Sequence, residues 1–599
     1  MIYAPQRRQE DGVAKRVFGF FKWFFIMTGI SVTLCVLALV LMIGSAVHSG
    51  TRTPQDGYIL TYTFKAGLAE TVGGPSLSQP LLHPSATFGD LIERLTEATK
   101  DPHVKGFVAK LQDIGMSPAQ LQELRDTLVK FRAAGKPTYI YADGYGGSSS
   151  AMGAYYLATA FGQIWLQNVG DVSMNGVAAE VPFFKGILDK IGVEAEFSRK
   201  GTYKSFPESL TLNGMSAPNR EMTTGLVNDL ADQIIAGIAA SRGMTVESVR
   251  KLVNGAPYSD TEALKLKLID KIGYYDQMLA EAKRKAGIKS DDAEEGTVAL
   301  MDYSFDKEPK TKSRIALIIG AGDIISYSET HAGLSGADMP ADKIATAFKE
   351  ARKDKSVIAV VFRIDSPGGS PEAAETIRHA IMETQQKGKP VIVSMSGYAA
   401  SGGYWIASPA DKIVAEPATI TGSIGVFGGK FVLAGLWQKL GIHWDSVAVG
   451  DNAEMLSANT PFTAKQRERF ESMLDDIYQA FIARVAEGRH LTKDQVEAVA
   501  EGHVWTGKQA LERGLVDELG GLDKAVELAK VAAKINPAQD IPLKPFPAKK
   551  SPLETLLHLV SGDDDDGDAS ILSMIGISAG DIARSLQAEI LEMPEMRVR

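Results

Sequence analysis

Residues 388–404 read GKPVIVSMSGYAASGGY, and residues 135–156 read GKPTYIYADGYGGSSSAMGAYY. Both open on Gly-Lys-Pro, continue as an apolar stretch, turn on small residues and close on an aromatic residue. The offset is 253 residues at Gly-Lys-Pro and 249 at the aromatic pairs Tyr155-Tyr156 and Tyr404-Trp405. The difference falls in the extra Gly/Ser sequence Gly146–Ser150. Upstream, Val104–Ala109 (VKGFVA) parallels Val357–Val361 (VIAVV). Downstream, Asn175-Gly176-Val177 parallels Ile424-Gly425-Val426, and PFFKGILDKIGV (182–193) parallels FVLAGLWQKLGI (431–442). Self-similarity on this scale means that one folding unit is used twice. Short Val/Ile stretches alternating with helical patterns such as Pro371–Lys387 predict buried parallel strands with crossover helices. The expected fold is α/β in tandem, residues 57–305 and 306–545, the second opening on the charged linker Lys307–Lys312. Residues 546–599 form a Pro/Lys- and Asp-rich tail with a helical pattern at Ala579–Glu592.

A chain of 599 residues exceeds what one hydrophobic core holds. With 45% hydrophobic and 23% charged residues it is globular. A net charge of −9 argues against nucleic acid as a partner, which asks for a basic face. The single cysteine, Cys35, excludes an internal disulfide and a multi-cysteine metal site. No HExxH-type ligand spacing occurs, and the run Asp563–Asp566 lacks the spacing of a calcium loop. No metal and no cofactor are expected.

Trp23–Val47 is an uncharged stretch of 25 residues, long enough to cross about 30 Å of hydrocarbon. Arg7, Arg8, Lys15, Arg16 and Lys22 precede it, whereas only Arg52 follows closely. The positive-inside rule therefore places residues 1–22 in the cytoplasm and the chain beyond about residue 50 on the exported side. The stretch is longer than the apolar core of a cleaved signal peptide, so an anchor (23–47) is expected.

Two glycine-rich elements follow strands in the second copy: Arg363–Ser370 (RIDSPGGS) and Ser396–Tyr404 (SGYAASGGY). A strand that turns sharply into a helix presents its turn residue where backbone N–H groups favour negative charge. Ser401 occupies that place. Gly402 beside it and Gly369 in the neighbouring turn are candidates for the two N–H donors that a tetrahedral acyl intermediate needs about 3 Å from its oxyanion. The same pattern also fits two tight turns around a buried serine. None of the nine histidines stands in a signature that pairs with Ser401, which leaves lysine as the common remaining base.

RIDSPGGS, SGYAASGGYW and Thr421–Gly425 (TGSIG), in this order and spacing, resemble the signal peptide peptidase A (protease IV) family. Its members are membrane-anchored bacterial serine proteases with a Clp-protease/crotonase-like fold, and the duplication behind an anchor matches its long form. The resemblance implies Ser401 as nucleophile and Lys204, within Gly201–Ser205 (GTYKS), as general base. It implies that Ser423 hydrogen-bonds that lysine. It further implies hydrophobic signal peptides and short extended peptides as substrates, and assembly of several copies, a tetramer in the family. The anchor would contact membrane lipid, with the catalytic part outside the bacterial inner (plasma) membrane.

The internal alignment divides the site between the copies. Ser401 aligns with Met152, Gly368-Gly369 with Gly115-Met116, and Lys204 with Ala453. Each copy carries what the other lacks. A two-residue slide would set Ser150 against Ser401, without a Gly-Gly turn opposite it. Lys200, on the same face of an extended stretch, is the alternative base. A lysine with the ordinary pKa of about 10.4 is almost never neutral at pH 7, so the base must be desolvated, for instance at the seam between the copies. The sequence leaves open whether the pair forms within one chain or between chains. Two other functions fit the fold: a crotonase-like acyl-CoA enzyme, and a non-catalytic peptide-binding membrane scaffold.

Overall fold

The computed structural model of the protein describes residues 57–65, 67–71, 86–146, 151–289, 292, 295–305, 311–327, 338–547 and 597–598. The segments 1–22 and 23–47, Ser150, the linker residues 307–310 and tail residues 548–596, with the helical pattern Ala579–Glu592, lie outside the described residues. Among the described residues no helix is long and apolar enough to cross a membrane.

The first half builds a six-stranded parallel sheet in the order Thr297–Ala299, Tyr58–Phe64, Val104–Leu111, Thr138–Ala142, Gln163–Leu166, Lys271–Ile272. The second half repeats it strand for strand: Leu543–Phe546, Arg314–Ala321, Val357–Ser366, Val391–Ala400, Lys412–Ala415, Glu518–Leu519, again all parallel. The tandem α/β duplication expected from the repeat is therefore the architecture observed. Each half also carries a 26-residue helix at the matching place, Ala217–Arg242 and Ala464–Arg489.

Parallel strands are covered on both faces, which is why they are apolar almost throughout. In Val357–Ser366, Val360, Phe362 and Ile364 face one core, where helices Ala341–Lys353 and Pro371–Gln386 pack. Ala359 and Val361 face the other, with helix Leu522–Ala532. Period-two alternation of the side chains produces this division.

The second sheet goes on past its common part. Val391–Ala400 is ten residues long, and its last three pair with Ile420–Gly422, which in turn pairs antiparallel with Val504–Thr506. The TGSIG segment is thereby brought beside the end of the strand that leads into Ser401.

Three devices join the halves. Glu194–Lys200 of the first half pairs antiparallel with Val426–Val432 of the second along seven residues. The short helices predicted from 182–193 and 431–442 form as Lys185–Ile191 and Ala434–Leu440, each stopped by a left-handed glycine, Gly192 and Gly441. Leu188, Val193 and Leu210 share a small core with Phe431, Leu433 and Leu436. Finally, Arg363 is buried between Glu70 and Glu123 of the first half, at 3.0 and 2.7 Å.

Candidate active site

Ser401 stands between strand Val391–Ala400 and helix Gly402–Ala407 with φ 53° and ψ −121°. That conformation lies outside the regions L-residues favour and costs on the order of 1–3 kcal/mol, so it persists only where the surroundings impose it. Here its N–H donates to the Gly422 carbonyl (2.9 Å), while its own carbonyl accepts from the Tyr404 and Trp405 amides. Because the Ser401 N–H is already engaged, it does not serve an oxyanion.

Lys204 reaches this hydroxyl from the first half. Its Nζ lies 3.0 Å from Ser401 Oγ, 2.9 Å from Ser423 Oγ and 3.0 Å from the Ser423 carbonyl oxygen. The two residues meet within one chain. The side chain of Lys204 is buried, with 5% of the residue exposed, and burial lowers its pKa from the ordinary 10.5 to about 7. A neutral amine has two N–H donors and one lone pair. With both N–H groups directed at Ser423, the lone pair is left for the Ser401 O–H.

Ser423 is held for this double contact by its backbone. Gly422 and Ser423 both take positive φ, 79° and 52°, and the Ser423 N–H donates to the His503 carbonyl (2.8 Å). Thr421 donates its hydroxyl to the Ala399 carbonyl (2.7 Å), fastening the segment to the strand that leads into Ser401.

Gly368-Gly369 lies directly against the serine turn. A methyl group built on Gly402 would sit 3.1 Å from the Gly369 nitrogen, and one built on Gly368 only 2.8 Å from both the Gly402 nitrogen and Ser401 Cβ. The Gly402 N–H belongs to the first residue of its helix and has no partner within it. The bridge to Ile324 uses the Gly368 carbonyl and the Ser370 N–H, so the Gly369 N–H is not part of it. Gly369 itself has φ 149°, and a methyl group there would lie 2.2 Å from the Ile324 carbonyl oxygen. Only glycine fits. The two amides named from the sequence are thus side by side, next to Ser401.

Lys200, the alternative base, is elsewhere: it pairs with Val426 in the ribbon and its amine meets Asp475 at 2.9 Å. Lys200 is the last residue of its strand, and a turn at Gly201–Tyr203 redirects the chain before Lys204. The shared face expected of one extended stretch ends at that turn. Among the histidines, His503 contributes its carbonyl to Ser423, but its ring stacks on Trp505 at 3.6 Å and its Nδ1 meets the Val504 carbonyl. Among the described residues no group of three or more His, Cys, Asp or Glu side chains is placed to hold a metal ion.

The support beneath the glycine turn was not expected from the sequence. Arg363, at the start of RIDSPGGS, meets Glu70, Glu123, Ser394 and Ser396. Burial pushes the Glu70 carboxyl up, but the Arg363 charge and its hydrogen bonds outweigh this and leave it below the usual range. Glu123 stays above the usual range because burial dominates there. The one signal in the sequence is an arginine that directly follows the apolar run Val357–Phe362 of a strand, which when buried requires a partner.

A strained serine, a dry amine at its oxygen and paired backbone amides on a parallel α/β sheet describe a serine hydrolase. Sequence relatives specify the class further. The profile of Peptidase family S49 matches twice, over residues 130–289 and 383–536. Protease 4 of Salmonella typhi is 32% identical over 455 residues, 74% of this chain and 72% of that protein. The chloroplastic serine protease SPPA of Arabidopsis thaliana is 30% identical over 80% of this chain and 70% of its own. A putative signal peptide peptidase SppA of Enterococcus faecium is 31% identical over 33% of this chain and 58% of its own. The chain belongs to Peptidase family S49 and is a serine protease.

Proposed function

We propose that this protease is a membrane-anchored endopeptidase with a Ser401–Lys204 dyad that degrades cleaved signal peptides on the exported side of the inner membrane. The observation that carries the dyad is the buried Lys204 amine 3.0 Å from Ser401 Oγ, with a pKa lowered to about 7. In the neutral form Lys204 accepts the Ser401 proton as Oγ attacks the peptide carbonyl. The oxyanion that forms faces the Gly369 and Gly402 amides. The lysine then gives its proton to the departing amine as the C–N bond breaks, and the lysine, neutral again, takes a proton from the water that hydrolyses the acyl-enzyme. Ser423 keeps the amine pointed at Ser401 throughout.

The uncharged stretch 23–47 supports the anchor, and its flanking charges support the orientation. The name of the Enterococcus relative supports the substrate class, and the anchored position suits it, since released signal peptides are apolar and stay near the bilayer. Assembly into a homo-oligomer, a tetramer by the family resemblance, belongs to the same proposal. The test is cleavage of a synthetic signal peptide by the full chain in detergent or lipid. Wild type cleaves it and Ser401→Ala does not. Unimpaired cleavage by Ser401→Ala would remove the nucleophile. An intact signal peptide beside a digested unfolded protein would remove the substrate class.

A further inference from the structure

The turn Ala500–His503 of the second half packs directly under the loop that carries Lys204. Tyr203 donates its N–H to the Glu501 carbonyl (2.8 Å), and Thr202 donates its N–H (2.9 Å) and hydroxyl (3.0 Å) to the Glu501 carboxylate. A methyl group built on Gly502 would lie 2.5 Å from the Lys204 nitrogen and 2.7 Å from its Cα and Cβ, so a residue with a Cβ is sterically excluded. On its other side the turn grips the Ser423 segment. The Gly502 N–H donates to the Ile424 carbonyl, and the His503 carbonyl accepts from Ser423, both at 2.8 Å. One short turn thus holds both partners of the proposed base.

The duplication supplies an internal control. Asn254-Gly255 stands in the first half where Glu501-Gly502 stands in the second. Each pair precedes a short strand, Tyr258–Ser259 or Val504–Thr506, whose last residue caps the next helix, Ser259 or Thr506. Gly255 closes helix Val246–Gly255, is exposed, and has no positive φ. Glu501 and Gly502 instead take φ 53° and 74° in succession. A glutamate in that region is strained. The unusual backbone occurs in the half where the lysine docks and is missing from the half where none does.

We infer that Glu501 and Gly502 are positioning residues that seat the lysine loop and so keep the Lys204 amine dry and within reach of Ser401. This rests on the Ser–Lys reading of the site. Glu501 acts through the loop, because its carboxylate is occupied by Thr202, with Tyr478 at 3.5 Å, rather than by the amine. Losing the seat lets the loop lift and water enter, which moves the amine and raises its pKa together.

The experiment measures kcat, KM and the pH–rate profile of peptide hydrolysis for the full chain and its variants. Gly502→Ala is expected to lower kcat about 100-fold, the scale of a 1 Å misplacement. KM should change little, and the rising limb of the profile should move from near pH 7 towards the range of an ordinary lysine. Glu501→Ala should shift kcat and the profile in the same directions by less, and Glu501→Gln, which keeps the acceptor oxygen, should restore both. Should Gly502→Ala fail to fold, the Glu501 pair decides. Folded variants with wild-type kcat and an unmoved profile would overturn the inference. Ser401→Ala and Lys204→Ala run alongside separate the two failures: if either still turns over, the dyad reading is wrong; if both are inactive while the Glu501 and Gly502 variants behave as wild type, only the seat is.

Discussion

Lys204 and Ser401, 197 residues apart in the chain, meet with Nζ 3.0 Å from Oγ, and the ribbon Glu194–Lys200/Val426–Val432 brings them together. The first half thus supplies an amine to a serine turn in the second, the pair proposed above as base and nucleophile. Neither half alone holds both groups, so the seam between them is part of the site.

Burial of that lysine has a cost that depends on pH. Its folded pKa of about 7 lies below the ordinary 10.5, so the unfolded chain binds more protons between these values and stability rises with pH across that window. Below pH 7 the whole penalty applies; above about 10.5 it vanishes. Lys204→Met is therefore expected to be more stable than wild type at pH 6, by at most about 5 kcal/mol, with the advantage shrinking as pH rises towards 10. Chemical denaturation of both proteins at several pH values checks this. A Met variant that is less stable at pH 6 than at pH 10, relative to wild type, would contradict it.

Gly369→Ala places a methyl group 2.2 Å from the Ile324 carbonyl oxygen at φ 149°. The turn must shift, and with it one of the two amides proposed to receive the oxyanion. A loss of about 10²–10³ in kcat with a folded protein is expected, the scale of removing one oxyanion donor. Unchanged kcat in a folded variant would remove Gly369 from the oxyanion site.

Arg363→Ala leaves Glu70 and Glu123 facing each other in a buried site. Removing one member of such a network typically destabilises by about 3–5 kcal/mol. Thermal unfolding of this variant should fall well below wild type, and Glu70→Gln with Glu123→Gln in the same chain should recover part of the loss. An unchanged melting temperature would show that the arginine does not hold the halves together.

The duplication is legible in the sequence because sheets and helices leave periodic apolar patterns, and two copies of one pattern stand out even where identities are few. Ser401, Gly402 and Gly369 are legible because small residues at a strand-to-helix turn mark a backbone that larger side chains cannot follow. Lys204 is not legible from its own surroundings. Arg199, Lys200 and Lys204 read alike as a basic stretch, and what separates them is the turn at Gly201–Tyr203 and burial by the other half. Glu70, Glu123, Glu501 and Gly502 are invisible for the same reason: each acts across the seam, through contacts between residues hundreds of positions apart. Local sequence records local geometry, and a site built between two domains is recorded only in their packing.

The most direct test of a neutral Lys204 acting on Ser401 is the rate at which a fluorophosphonate modifies Ser401 as a function of pH. The rate constant should rise through an apparent pKa near 7 in wild type. In Lys204→Ala it should be lower by about a hundredfold or more, without that rise, the scale of losing a general base. A wild-type rate that climbs only near the range of an ordinary lysine, or a Lys204→Ala protein labelled as fast as wild type, would contradict the account.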